Sequence, residues 1–74
     1  MIPQPGDHDV RGYVLAPGRV EALQSIYGQQ SADVTNPLVF SLASDTNLAP
    51  GTEVKFDVAE NSNGTVFATN VRRA

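Results

Sequence analysis

Cysteine and tryptophan are absent from this sequence, and histidine occurs only once. Without cysteine, disulfides and thiolate metal sites are excluded. The single histidine, His8, lies between Asp7 and Asp9, but neighbouring side chains of an extended segment point to opposite faces, and no second histidine could complete a metal site. A lone serine or aspartate elsewhere in the chain likewise has no recognisable base or oxyanion partner. We therefore expect a protein that is not an enzyme and that has no metal and no cofactor.

Long apolar runs are also missing, since no run approaches the roughly 20 residues that span a bilayer. The N-terminal segment has neither the basic residues nor the apolar stretch of a signal peptide. These two absences predict a cytoplasmic protein without a membrane partner.

Basic residues are few. The chain has five lysines and arginines and eight acidic residues, so its net charge is −3. A protein that binds nucleic acid strongly presents a basic surface to the phosphates, so the overall charge argues against that class. A local basic patch can still act within a Debye length of about 8 Å.

The remaining composition is that of one small folded domain. The chain has 74 residues, of which 41% are hydrophobic and 18% are charged, and this balance excludes a disordered chain. Residues 1–8 contain two prolines and no periodic pattern. We expect a flexible or extended lead-in there, followed by a single domain over residues 9–74.

The clearest pattern lies in the last third of the chain. Residues 53–58 alternate between charged and apolar side chains, which is the period of a strand with one buried face, and Phe56 falls on that face. Turn-forming residues follow at 60–64, and residues 65–71 are again β-prone. Two such runs joined by a short loop that contains Asn63-Gly64 predict a β-hairpin.

Three more strands are predicted before this hairpin, at Val10–Ala16, Val20–Ile26 and Leu38–Leu42. Gly12 inside the first strand indicates a bulge, a bend or the close approach of another backbone. For residues 20–27 a short helix is the alternative, because their apolar residues also lie near helical spacing. We favour the strand, since a tight turn directly precedes it.

Proline–glycine pairs mark two turns between these strands. Pro17-Gly18 predicts a type II turn with a positive φ at the glycine, and Pro50-Gly51 predicts a second turn. Residues 28–36 form a predicted polar loop, and residues 43–49 form another that could contain one helical turn. Five short strands, frequent turns and no long helix favour a small all-β barrel or sandwich.

Glycines and apolar residues recur at characteristic spacings in the hairpin and the turn before it: Gly51, Val54, Phe56, Val58, Gly64, Ala68, Asn70 and Val71. This pattern resembles the C-terminal half of a cold-shock domain, which tends to have G-x-x-V-x-F-x-[VI], a polar turn with glycine, and then A-x-[ND]-V. Gly12 and Val14 fit the opening G-x-V of that family, and Leu48 fits a leucine before the turn. Val39-Phe40 fits part of its second nucleic-acid-binding motif, V-F-V-H. The resemblance covers about 40 residues and implies a small five-stranded antiparallel OB-like (cold-shock-like) barrel.

The sequence departs from the family on the surface that binds nucleic acid. Cold-shock domains stack single-stranded bases on aromatic side chains, which is worth about 1–3 kcal/mol per base. Their first motif, K-G-[FY]-G-F-[IV], is replaced here by residues 19–23, which contain no aromatic side chain. The tryptophan and phenylalanine of the family's first strand fall near Ala16 and Pro17, and its histidine falls near Ser41 or Leu42. Most of the stacking platform is therefore missing.

The candidate nucleic-acid-binding residues that remain are two aromatic and three basic side chains: Tyr13, Phe40, Arg11, Arg19 and Lys55. The first and fourth strands of such barrels are usually neighbours, so Arg11 and Lys55 are expected to share a patch with Tyr13 or Phe40. The alternative for Tyr13 is a half-buried rim position. The alternative for Phe40 is a place in the core.

Two other features allow both a functional and a structural interpretation. Tyr27 follows a strand end, where packing is favoured over a binding role. Arg72-Arg73 could clamp a phosphate or an acidic partner, but a solvated chain end is the favoured interpretation.

Two functions follow from these observations. The first is a weak single-stranded RNA- or DNA-binding module of cold-shock-like type. The alternative is an acidic OB-like protein-interaction module, a small regulator or inhibitor that has lost nucleic-acid binding and docks on another protein.

Overall fold

The computed structural model describes residues 2–28 and 38–74. The predicted polar loop at 28–36 lies outside these residues except for Gly28. Within them, five strands and one helical turn follow each other along the chain: β1 (Val10–Ala16), β2 (Arg19–Ala22), α1 (Gln24–Tyr27), β3 (Val39–Ser41), β4 (Glu53–Glu60) and β5 (Val66–Arg73). The predicted all-β class with five strands is confirmed.

The strands form one antiparallel sheet in the order β3-β2-β1-β4-β5. The predicted pairing of the first and fourth strands is therefore confirmed. The two outer strands also meet at one point, because Leu42, directly after β3, forms a parallel bridge with Ala68 of β5. The amide of Ala43 donates to the carbonyl of Ala68 at 3.0 Å.

The core lies on one face of this curved sheet and is formed by alternate residues of all five strands. Phe56, which is fully buried, packs on Phe40 with ring centroids 5.7 Å apart and an interplanar angle of 55°. This tilted geometry is the one that aromatic pairs favour. The buried apolar residues are Val10, Val14, Val20, Ala22, Leu38, Phe40, Val54, Phe56, Val58 and Ala68.

The β4–β5 hairpin forms as predicted. Its turn is held by the side chain of Asn61, whose oxygen accepts the amides of Asn63 at 2.9 Å and Thr65 at 3.0 Å. Gly64 has a φ of 81°, which a residue with a side chain rarely adopts. Further along, β5 has a bulge at Asn70, whose φ of 55° is tolerated by asparagine better than by most residues.

The second strand is shorter than predicted. It ends at Ala22, and the predicted continuation to Ile26 is wrong because residues 24–27 form the helical turn α1. The amide of Leu23 still bonds to the carbonyl of Arg11 at 3.0 Å, and the chain then turns so that the Tyr27 hydroxyl accepts the Arg11 amide at 3.3 Å. Tyr27 packs on the core, as favoured from the sequence.

The proline–glycine turns differ in conformation. Pro50-Gly51 is a turn in which Gly51 has a φ of 91°. Pro17-Gly18 is also a turn, but Gly18 is not among the residues with positive φ, so the predicted type II geometry is wrong there. The loop at 43–49 contains no helical turn.

Residues before β1 are attached to β4. The amide of Gly6 donates to the carbonyl of Val58 at 2.8 Å, and the amide of Val58 donates to the carbonyl of Asp7 at 2.9 Å. Pro3 is buried. The lead-in is thus bonded to β4, and it contains a turn at Pro5-Gly6 that is closed by the bond from the Asp7 amide to the Gln4 carbonyl at 3.0 Å.

Candidate functional site

The outer face of the sheet, defined here as the side opposite the core, contains a row of three cations. Arg11 lies opposite Lys55, and Lys55 lies opposite Arg72, across β1, β4 and β5. Like charges placed directly opposite on neighbouring strands repel each other. The predicted proximity of Arg11 and Lys55 is confirmed, and Arg72 joins them.

Carboxylates neutralise both ends of this row. Arg11 pairs with Glu53. Arg72 pairs with Asp9 and, at 3.5 Å, with Asp57. Lys55, in the centre, forms no ion pair within the described part of the chain. The row therefore offers one unpaired charge rather than three.

Tyr13 lies two residues along β1 from Arg11, on the same face, opposite Glu21 on one side and Glu53 on the other. The Tyr13 side chain is half-buried, and its hydroxyl donates a hydrogen bond to the carboxylate of Glu21, a residue that is only 8% exposed. This hydrogen bond, aided by burial and by the negative charge, raises the pKa of Tyr13. A base stacked on Tyr13 would bring its phosphates close to two carboxylates.

Two other predicted site residues do not belong to this surface. Phe40 is 5% exposed and packs on Phe56, so its ring has no free face for a base and the core alternative is correct. Arg19 is exposed but pairs with Ala16 and Ser41 at the far end of the sheet. At about 3.3 Å per residue, it is separated from the level of Arg11 by about 13 Å.

Asp57 is the centre of a polar cluster that sequence reasoning missed. It accepts hydrogen bonds from the Asn70 side chain at 3.2 Å and from the Asp9 amide at 3.2 Å, and it pairs with Arg72. These interactions, with His8 at 3.6 Å, lower the pKa of Asp57. No local pattern signals this cluster, because its members come from three distant segments.

A cleft of about 600 Å³ lies between the loop after β3 and the outer edge of β5, the edge that does not pair with β4. Its apolar residues come from the bridge between the two outer strands and from β5, and its polar residues come mainly from the loop. The lining residues are Leu42, Ala43, Ser44, Asp45, Thr46, Asn47, Ala68, Thr69, Asn70 and Val71. The sequence indicates the loop, but the position of the loop beside β5 follows only from the Leu42–Ala68 bridge.

Beyond this bridge, no strand among residues 2–28 and 38–74 pairs with the outer edge of β5. The amide of Ala74 donates to the carbonyl of Glu53, on β4, at 3.1 Å. Backbone groups of successive residues in a strand point alternately to the two neighbouring strands, so those of Arg72, two residues before Ala74, also face β4. The backbone groups of Val71 and Arg73 then face away from the sheet. Arg73 is exposed and forms no ion pair with any residue that the structure describes.

Other kinds of site find no support in residues 2–28 and 38–74. This part of the chain contains no group of three or more histidine, aspartate or glutamate side chains placed to hold a metal ion. Its one helical turn is far shorter than a membrane-spanning helix. Comparison of the chain with protein-family models, curated proteins and solved structures finds no match.

Proposed function

We propose that this domain is a protein-interaction module built on an OB-like barrel. An OB-fold is a five-stranded, partly open barrel in which the outer strands approach each other. The strand order β3-β2-β1-β4-β5 and the parallel Leu42–Ala68 bridge support this architecture. They also agree with the cold-shock-like spacing of the hairpin.

The observation that carries the proposal is the cleft beside the open edge of β5. It places apolar side chains and unpaired backbone groups next to each other, and both are features of a surface that binds a polypeptide. The outer face suits a nucleic acid less well. Two of its three cations are neutralised by carboxylates, and Phe40 is buried in the core.

Affinity capture with the domain tethered through its N-terminus tests this function. We expect a protein partner that is retained after nuclease treatment and a wash at high salt. Ser44→Arg puts a long cationic side chain on the wall of the cleft and should abolish retention. Ser62→Arg, the same change in the exposed hairpin turn, should not. A partner released by nuclease, or none at all, would contradict the proposal.

A second function, weak binding of single-stranded RNA or DNA, is favoured by one specific observation. Lys55, which pairs with no carboxylate in the described part of the chain, lies between Arg11 and Arg72, and a phosphate could bridge the three. Titration with a labelled oligopyrimidine at low salt tests it, with affinity expected to fall steeply as salt rises. Lys55→Ala should weaken binding, and the distant Arg19→Ala should not. Absence of binding at tens of micromolar protein rejects this function.

A further inference from the structure

We propose that the outer edge of β5, from Val71 to Arg73, binds an extended acidic peptide by strand addition, with one small apolar side chain of the peptide in the adjacent cleft. This inference rests on the proposed protein-interaction function and names the mode and chemistry of the partner. It combines three observations: the backbone groups at the edge, the floor of the cleft and an unpaired cation.

The backbone provides the first part of the site. Two alternate residues, Val71 and Arg73, direct their amides and carbonyls away from β4, at the end of the sheet. On this side, the described residues just after β3 bond to β5 at Ala68, through the Leu42–Ala68 bridge and the Ala43 amide. An extended peptide can therefore continue the hydrogen-bonding pattern of the sheet for about three residues.

The cleft provides the second part. Leu42 and Val71, which are partly buried, contribute apolar surface to it, and the polar loop forms the opposite wall. Side chains alternate along an extended peptide, so one that faces the cleft is followed, two residues later, by one on the same side. That second side chain lies towards Arg73, which is two residues beyond Val71 on β5.

Charge decides between two occupants of this edge. A second copy of the chain, paired antiparallel with β5, would bring Arg72 and Arg73 of both copies together, and like charges across a strand pair are destabilising. A peptide carboxylate beside Arg73 has the opposite effect, since it pairs with a cation that no described residue neutralises. An acidic extended peptide is therefore the occupant that fits.

A nitrogen–proton NMR titration of the full chain tests the inference with a defined probe, the acetylated and amidated pentapeptide Thr-Thr-Val-Thr-Glu, whose valine and glutamate lie two residues apart on the same side of the extended chain. We expect shift changes at the amides of Val71 and Arg73 and in the loop at 43–47. The matched peptide with a final glutamine should bind about threefold more weakly, and Arg73→Ala should reduce the affinity by a similar factor. Arg19→Ala removes an equally exposed cation elsewhere and should leave the affinity unchanged.

Val71→Pro removes an amide that faces away from β4, and it should abolish the shifts while the β4–β5 hairpin remains folded. If this variant unfolds, the comparison of the two peptides and Arg73→Ala still decide the result. The inference is overturned if the peptide does not bind, if its shifts map to Arg11 and Lys55, or if Arg73→Ala binds it as the wild type does. The proposed function fails separately, when nuclease-resistant capture finds no protein.

Discussion

A Cβ atom placed on Gly12 would lie 2.2 Å from the carbonyl oxygen of Glu21, on the neighbouring strand. A glycine inside β1 indicated a bulge, a bend or the close approach of another backbone, and the structure shows the close approach. Gly12→Ala forces the two strands apart, so we expect it to lower the free energy of unfolding by about 1–3 kcal/mol. Thermal unfolding should show a decrease of at least about 4 °C in the midpoint.

Gly18→Ala is the matched control for this change. Gly18 has no positive φ, and its nearest neighbour is the flexible carboxylate of Asp45 at 3.1 Å, which can move. We expect a change within about 0.5 kcal/mol, as for most surface substitutions. Equal losses for both variants would show that contact with Glu21 is not what excludes a side chain at position 12.

The burial of Phe40 gives a prediction that separates a core residue from a base-stacking residue. Phe40→Ala leaves a cavity against Phe56 and should cost about 3–5 kcal/mol in urea unfolding. Phe67→Ala removes the same side chain from a half-buried position on β5 and should cost about 1–2 kcal/mol. If Phe40→Ala were as stable as the wild type, the ring would have to be exposed, as a stacking role requires.

The lowered pKa of Asp57 predicts a pH dependence of stability. Its carboxylate is favoured in the folded state by the Asn70 side chain, the Asp9 amide and Arg72. The stabilisation is therefore present above the ordinary pKa of 3.8 and is lost as the pH falls through the lower folded-state value. Asp57→Asn should be less stable than the wild type near neutral pH, and the difference should shrink below about pH 4.

Glu60→Gln is the control, because Glu60 is exposed at the end of β4 and forms no ion pair with any described residue. Its stability should follow that of the wild type across the same range. A gap between wild type and Asp57→Asn that stays constant down to about pH 2 would contradict the assignment.

Arg72 connects the first and last segments of the domain, and its role depends on the shape of its side chain. It donates to Asp9, to Asp57 and, at 2.6 Å, to the carbonyl of Asn70. Lysine keeps the charge but cannot form this fork of hydrogen bonds. We expect Arg72→Lys to speed hydrogen exchange of the Gly6 amide, whereas Arg73→Lys should leave it unchanged. If the Gly6 amide exchanged at the same rate in both variants, backbone hydrogen bonds alone would hold residues 3–9 on the domain.

Local patterns predicted the parts of the fold that depend on local geometry. The alternation at residues 53–58 and the Asn63-Gly64 turn predicted the β4–β5 hairpin, because strand period and turn conformation are properties of neighbouring residues. The same reasoning was wrong after Ala22. There the Arg11 backbone bonds to both Leu23 and Tyr27, and this contact with a distant strand decides between strand and helix.

Residues of the candidate site could be placed together from the sequence only where the pairing of their strands could also be predicted. Arg11 and Lys55 were expected to be neighbours because the first and fourth strands were expected to pair, and they are. Phe40 remained open between core and surface, since the strand predicted over Leu38–Leu42 is apolar at four of its five positions and shows no clear alternation with polar residues. The cleft depends on the Leu42–Ala68 bridge, a contact between residues far apart in the sequence.

The contact between Arg72 and Asp9 has a topological consequence. It holds the beginning of the first strand beside the end of the last strand, so the two termini of the folded sheet are neighbours in space. A short flexible linker could join them while the chain is opened in the exposed turn between Ser62 and Asn63. Such a circular permutant should retain every strand pairing and would place new chain ends far from the edge of β5.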